Sequence, residues 1–328
     1  MILVLGGAGY IGSHAVKKLI ELGEEVVVAD NLETGHREAV HEKATFCRVD
    51  VRNERMLEEL FNAFKIEAVM HFSAHSLVGE SMKEPIQYFE NNVSGTITLM
   101  KVMKRHHVQR IVFSSSAAVY GESSVMPIAE DCETRPENPY GESKLMMEKM
   151  FAWADAAHGL KYVSLRYFNV AGADLSGNIG EAHKVETHLI PLILQVPLGK
   201  KERISVYGTD YPTKDGTCVR DYVHVMDVVD AHILALNHLR NGGSSDVINL
   251  GSGEGFSVMQ IIDVARRITG HAIPVLVEER RLGDPSVLVA SCDKAKRILN
   301  WTPKHTDVET IISDAWRWHQ RHPEGYEE

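Results

Sequence analysis

The chain has 328 residues, 44% hydrophobic and 24% charged, the balance of a globular protein long enough for one large domain or two moderate ones. Its formal net charge is −10 and its pI about 5.9, with no basic stripe, which argues against a nucleic-acid partner. No apolar run approaches the roughly 18 residues of a membrane span, and the first apolar run starts at Met1, so neither a membrane segment nor a signal peptide is expected. Cys47, Cys132, Cys218 and Cys292 lack any paired spacing for zinc or redox work and read as reduced thiols of a cytoplasmic protein.

The first predicted element is a buried strand over residues 1–5, Met-Ile-Leu-Val-Leu. Gly6-Gly7-Ala8-Gly9-Tyr10-Ile11-Gly12 follows at once, and a helical pattern over 13–22 stops at Gly23. The next apolar run, 25–29, ends in Asp30. A strand, a glycine-rich turn, a helix and a second strand ending in an acid form the arrangement of a dinucleotide site. The glycines fit two spacings, one on Gly7, Gly9 and Gly12 and one on Gly6, Gly9 and Gly12. They permit a tight turn and close backbone approach to a pyrophosphate, to which the helix offers unpaired N–H groups. Asp30 can bind both ribose hydroxyls and would repel a 2′-phosphate, which favours NAD over NADP.

Strands are predicted at 44–49 and 68–72, with a helix at 52–64 between them. His71 and His75 have ligand-like spacing but straddle a strand end, so no metal is expected there. A long helix is predicted over 85–106, with His106 and His107 at its exposed end. The strand that begins at Arg110 runs into Ser114-Ser115-Ser116 and puts a serine hydroxyl at the carboxyl edge of the sheet. The following helix opens with Tyr140-Gly141-Glu142-Ser143-Lys144 and reaches residue 158. A tyrosine and a lysine four residues apart share one helix face. An ammonium so placed should favour the phenolate, lowering the pKa of Tyr140 from about 10 and making it a base for a substrate hydroxyl near neutral pH.

With a strand at 162–166, the alternation implies an α/β fold, a Rossmann-like doubly wound parallel sheet. Beyond Gly172 the pattern is less regular, with Pro191, Pro197, Pro212, Pro274 and Pro285, as in a smaller mixed α/β lobe. A helical stretch at 221–239 and a strand at 247–250 read as returning to the large sheet. The expected organisation is a cofactor domain over 1–172 with returning segments near 221–250, and a discontinuous carboxyl-terminal substrate lobe over 173–328. The helix at 144–157 is apolar on more than one face, through Leu145, Met146, Met147, Met150, Phe151, Trp153, Ala154 and Ala157. The helix before it has a similar surplus at Val93, Ile97, Met100 and Met103. Four such helices from two chains would form a bundle, so a homodimer is expected.

Taken together, these motifs resemble the UDP-glucose 4-epimerase (UDP-galactose 4-epimerase) family of extended short-chain dehydrogenases/reductases, over essentially the full length. The resemblance rests on the glycine motif through His14, on Asp30-Asn31-Leu32, His71-Phe72, Val78-Gly79-Glu80-Ser81, Asn91-Asn92-Val93 and the stretches 113–121 and 139–144. It continues through Leu165-Arg166-Tyr167-Phe168-Asn169, Asp215-Gly216-Thr217, 219–227, Asn249-Leu250-Gly251, 280–284 and the tail at 316–326. The glycine and Tyr-x-x-x-Lys motifs define only the superfamily, whereas the carboxyl-half motifs are more specific.

The resemblance implies that Tyr140 takes the proton of a sugar 4-hydroxyl while the C4 hydride passes to bound NAD. The 4-keto sugar would then rotate and receive the hydride on its opposite face, with no net redox change. Lys144 would hydrogen-bond the nicotinamide ribose and Ser116 the 4-oxygen. Gly6, Gly9, Tyr10, Ile11 and Gly12 would contact the pyrophosphate, Asp30 and Asn31 the adenosine ribose, and Asp50 and Val51 the adenine. Phe72, Ala74 and Asn91 would line the cofactor channel, with Phe168 near the nicotinamide. Asn169, Leu189, Arg220, Tyr222, Arg281 and Asp284 match the family's nucleotide pocket, where arginine forks suit phosphate oxygens. The lesser alternative for Arg220 and Arg281 is a surface ion pair with Asp221 or Asp284. Two positions depart from the family: Ser76 stands where some members carry a lysine toward the cofactor phosphates, and His188 stands where an asparagine precedes Leu189. Leu288 occupies the place of a bulky tyrosine in hexose-restricted members, which implies UDP-N-acetylglucosamine and UDP-N-acetylgalactosamine as second substrates. Dehydratases and decarboxylases of this fold need an acid just after the active-site hydroxyl residue, where this chain has Ala117 and Ala118. A UDP-glucuronate epimerase would need a basic partner for a C6 carboxylate, and none is identifiable. A non-catalytic NAD-binding regulator would have lost the tyrosine or the lysine.

Overall fold

The computed structural model describes residues 1–281 and 284–327. The first half contains β1 (Ile2–Leu5), α1 (Tyr10–Glu21), β2 (Val26–Asp30), β3 (Thr45–Arg48), α2 (Glu54–Ala63), β4 (Ala68–His71), α3 (Val78–Ser81) and α4 (Pro85–Tyr88). It continues with α5 (Gly95–Arg105), β5 (Arg110–Ser116), α6 (Pro139–His158) and β6 (Lys161–Tyr167). The second half contains β7 (Asn169–Ala171), α7 (Leu189–Leu194), β8 (Ile204–Tyr207), β9 (Val219–Arg220), β10 (Tyr222–His224), α8 (Val225–Arg240) and β11 (Asp246–Leu250). After it come β12 (Phe256–Ser257), α9 (Val258–Thr269), β13 (Val275–Glu278), β14 (Val287–Leu288), α10 (Asp293–Leu299) and α11 (Val308–Arg321).

Seven strands form one sheet in the order β11-β6-β5-β4-β1-β2-β3, every pairing parallel. Side chains alternate between its two faces. Ile2 and Val4 of β1 pack with Val16, Leu19, Val228, Leu236 and Trp301. Leu3 and Leu5 pack on the other side with Leu57, Phe61, Leu99, Val102, Met147 and Phe151. Helices α1, α8 and α10 thus cover one face and α2, α5 and α6 the other. The strand order reverses between β1 and β4, and such a switch point opens a crevice at the carboxyl ends of the strands. A smaller core joins Ile190, Ile193 and Leu194 of α7 to Ile261 and Ile262 of α9 and Ile311 and Ile312 of α11. The short sheets β8·β13 and β12·β9·β14 flank it.

The helix expected over 85–106 is not continuous. A π-helical turn, Phe89–Ser94, interrupts it between α4 and α5 and leaves Asn91, Asn92 and Val93 buried. The wider turn admits two polar amides that an unbroken apolar face would exclude. Val93 and Met103, expected as part of an unpartnered face, are buried within the chain, while Ile97 is 41% exposed. The helical stretch expected from residue 221 starts at Val225, because Tyr222–His224 pairs with β7 first. Among the described residues, no helix is long and apolar enough to cross a membrane.

Candidate active site

The glycine turn is dictated by close contacts. Gly6 has φ +75°, and a Cβ there would lie 2.6 Å from the Ser73 nitrogen, so β1 and β4 end in touching loops at the switch point. A Cβ on Gly12 would lie 2.1 Å from the Gly6 carbonyl oxygen. Gly9 caps α1 without a side chain bonded to its first turn, so the amides of Tyr10, Ile11 and Gly12 stay open to an anion. The Tyr10 hydroxyl is committed elsewhere, donating to the Gly172 carbonyl at 2.6 Å, so only its backbone serves the turn. Asp30 sits buried at the end of β2, accepting from the amides of Ala8 at 3.0 Å and Leu32 at 2.9 Å. Burial raises its pKa, against those two amides. Asn31 reaches the Asp50 carboxylate at 3.4 Å. Hydrogen bonds from Arg52 hold Asp50 down at about 2, against its partial burial. Val51 is buried behind Gly95, whose added Cβ would lie 2.8 Å from Val51 Cγ1. Phe72 tilts against the His232 ring at 4.6 Å, and Ala74 is half-buried beside it in the loop after β4. Asn91 donates to Asn92 at 3.1 Å, and Asn92 in turn bonds the backbone of His75 and the Ser143 hydroxyl. A bare turn, open amides and a buried acid at the next strand end are what a dinucleotide requires, and these residues fit one.

Helix α6 carries the second half of the site. Pro139 opens it, and the Asn138 side chain accepts from Gly141 N at 2.8 Å, which fixes Tyr140 in the first turn. A Cβ on Gly141 would lie 2.4 Å from the Ala118 carbonyl, so helix and β5 edge meet closely. Ser116 ends β5 and accepts from Ala118 N at 3.1 Å. Burial raises the pKa of Tyr140, and the Ser116 hydroxyl partly offsets this. The expected lowering by Lys144 is not what the geometry produces. Lys144 Nζ donates to the Ser114 carbonyl at 2.7 Å and lies 5.8 Å from the Tyr140 ring centre. Burial lowers the lysine itself to about 7, with Glu148 opposing. In a site this dry, both charged forms are penalised, and desolvation outweighs the long contact between them.

The residues matched to a nucleotide pocket gather around β9 and β14. Arg220 is mostly buried and pairs with Asp284, while Asp221 is turned away to the amides of Ser252, Gly253 and Ala290. Arg281 lies over the Tyr207 ring at 3.9 Å, and its carbonyl accepts from Asp284 N at 3.3 Å. Tyr222 is buried and aligned with Asn169 across β10 and β7; Asn169 is exposed. Leu288 is paired with Arg220 in register and packs in a cluster with Phe168, Ala117, Val119 and Tyr120. Leu189 opens α7 directly after His188. Burial opposes a charge on His188, but the Glu181 carboxylate at 2.5 Å outweighs it and lifts the ring to about 9. Ser76 is exposed and offers no cation.

Two groupings were not read from the sequence, although Ser115, Arg166 and His188 were named there individually. Glu148 and Arg166 form a buried bidentate pair, at 3.0 and 2.7 Å, which Ser115 joins at 2.5 Å and Tyr120 at 2.7 Å. Glu148 lies four residues beyond Lys144, the same spacing that had marked Lys144 itself. Glu181, His183, Glu186 and His188 converge on one point, and their close spacing was the available signal.

Residues 2–251 match the NAD dependent epimerase/dehydratase family. A UDP-glucose 4-epimerase of Halalkalibacterium halodurans is 55% identical over 325 residues, which cover 99% of this chain and 97% of that protein. A solved UDP-glucose 4-epimerase superposes with a TM-score of 0.98 at 55% identity, covering 100% of this chain and 99% of the other. A second, from Brucella ovis in complex with NAD, superposes with a TM-score of 0.94 at 44% identity over 96% of this chain and 97% of its own. This chain belongs to the NAD dependent epimerase/dehydratase family.

Proposed function

We propose that this protein is an NAD-dependent 4-epimerase that interconverts UDP-glucose and UDP-galactose. The observation that carries the reading is the Ser116, Tyr140 and Lys144 cluster at the edge of the sheet whose crevice holds the glycine turn. The positions after Ser116 are Ala117 and Ala118, so no acid stands there to drive elimination or decarboxylation. NAD, held by the amides of the turn and by Asp30, would supply the hydride acceptor and donor. Tyr140 takes the proton from the sugar hydroxyl and later returns it, acting as base and then acid. Ser116 shares a hydrogen bond with the same oxygen and eases the phenolate form of Tyr140. Lys144, anchored on the Ser114 carbonyl, would hydrogen-bond the nicotinamide ribose of the cofactor. Arg220 and Arg281 suit a nucleotide diphosphate. Purified protein given UDP-galactose should yield UDP-glucose without added reductant. Tyr140→Phe should lower the rate by about 10² to 10⁴ while retaining NAD; near-normal turnover would remove Tyr140 from the mechanism.

The N-acetyl sugars are second substrates in this reading, because leucine at 288 lacks the bulk and hydroxyl of tyrosine. We take residues 1–172 with the returning segment around β11 as the NAD lobe and the remainder as the UDP-sugar lobe. The protein is a homodimer in this account. Trp153, 77% exposed on α6, with Met146 on the same helix and Ile97 on α5 also exposed, gives the apolar surface that a second copy would cover. Four free cysteines suit a reducing, cytoplasmic setting. Sedimentation at micromolar concentration showing only monomer would overturn the dimer.

A further inference from the structure

We propose that Glu181, His183, Glu186 and His188 form a binding site for one divalent transition-metal ion, with zinc the best match to the ligand set. The four residues occupy an eight-residue strap between β7 and α7. One donor atom from each lies within 4.8 Å of every other. Glu181 Oε1 is 3.3 Å from His183 Nδ1, and Glu186 Oε2 is 3.4 Å from the same nitrogen. His188 Nδ1 is 2.5 Å from Glu181 Oε1 and 3.8 Å from Glu186 Oε1. A tetrahedral ion with bonds of about 2.0–2.1 Å places its ligands about 3.3–3.4 Å apart, the middle of this range. The shortest contact, His188 to Glu181, is a hydrogen bond whose proton a bound metal would displace.

Charge points the same way. The side chains of Glu181 and Glu186 are only 4% and 8% exposed. Among the described residues, no lysine or arginine pairs with either, and their only cationic partners are His183 and His188. Two desolvated carboxylates whose counterions are two imidazoles can be balanced equally by one dication once the rings give up their protons, and mixed nitrogen and oxygen donors suit zinc better than magnesium or calcium. The carboxylates and strap are already oriented. Glu186 Oε1 accepts from the amides of Thr187 at 2.7 Å and His188 at 2.8 Å. Trp318 donates to the Glu181 carbonyl at 3.0 Å, and His36 bonds the Ala182 carbonyl at 2.8 Å. A cleft of about 410 Å³ runs past Glu181, His183 and Glu186, and His188 is half exposed, so an ion has a way in. Bound there, it would clamp the strap to the start of α7, beside Leu189.

The test uses the untagged full-length protein, stripped with a chelator and desalted. Titration with zinc chloride should give one ion per chain by elemental analysis and calorimetry, and raise the melting temperature. Cobalt should give the strong visible absorption of a tetrahedral site. His188→Asn and His183→Gln should each weaken zinc binding at least tenfold while leaving the far-ultraviolet spectrum of the chelated protein unchanged. His271→Gln, at an exposed position far along the chain, should leave binding unchanged. Less than a fifth of an ion per chain, or parent-like affinity in the His183→Gln/His188→Asn double variant, would overturn the proposal. An octahedral cobalt spectrum would overturn it as well. None of these readouts depends on epimerase activity.

Discussion

Glu148→Gln tests whether the buried ion pair behind the active site is coupled as the geometry requires. Glu148 and Arg166 are 5% and 6% exposed at their side chains and share two hydrogen bonds. Glutamine keeps the shape and one oxygen, which can still meet Ser115. It places an NH2 group against Arg166 Nη2 and leaves the buried guanidinium charge with only neutral partners, the amide oxygen at Nε and the Tyr120 hydroxyl. Breaking one side of a buried pair costs about 3–5 kcal/mol. Unfolding entropy is about 2.1 cal/mol/K per residue, so a chain of 328 residues carries about 0.7 kcal/mol/K. The expected fall in melting temperature is therefore about 4–7 °C, measured by calorimetry. The double variant Glu148→Met/Arg166→Met removes both charges and should recover most of that loss. Glu148 also holds up the pKa of Lys144 against burial, so its loss should shift the Lys144 limb of the pH–rate profile to lower pH. A drop below about 1 °C, or a double variant worse than the single one, would refute the reasoning.

Gly12→Ala pushes a methyl carbon to 2.1 Å from the Gly6 carbonyl, so the turn must open and NAD should be lost, seen as protein purified without cofactor absorbance. Leu288→Tyr should suppress turnover of UDP-N-acetylgalactosamine and spare UDP-galactose; equal loss of both would defeat the steric argument. Acid should destabilise the protein through its buried histidines. Burial lowers His14 and His232 to about 4 and His71 to about 3, the last with Lys144 contributing. Their folded pKa values lie below the ordinary 6.5, so their stability is whole above pH 6.5 and is lost as pH falls toward 4. At about 1.36 kcal/mol per unit, each costs on the order of 3 kcal/mol by pH 4. Urea midpoints at pH 7.5 and 5 should show the loss, and His232→Gln should reduce it.

Much of the cofactor half is written locally. A run of four buried apolar residues, three glycines at fixed spacing and an acid at the next strand end each report their own backbone requirement, so turn, helix and strand could be read before any packing was known. The Tyr140 helix was also legible as far as residue 158, and the structure shows Asn138 and Pro139 opening it and Gly159 closing it. Tertiary structure decided the rest. The π-helical turn at Phe89–Ser94 exists because Asn92 finds His75 and Ser143, partners 17 and 51 residues away. The pKa values of Tyr140 and Lys144 follow from how dry their surroundings are, and helical spacing says nothing about desolvation. Arg220 chose Asp284 over its neighbour Asp221 because β9 and β14 lie side by side. Backbone conformation is set by neighbours along the chain, whereas burial and charge pairing are set by neighbours in space.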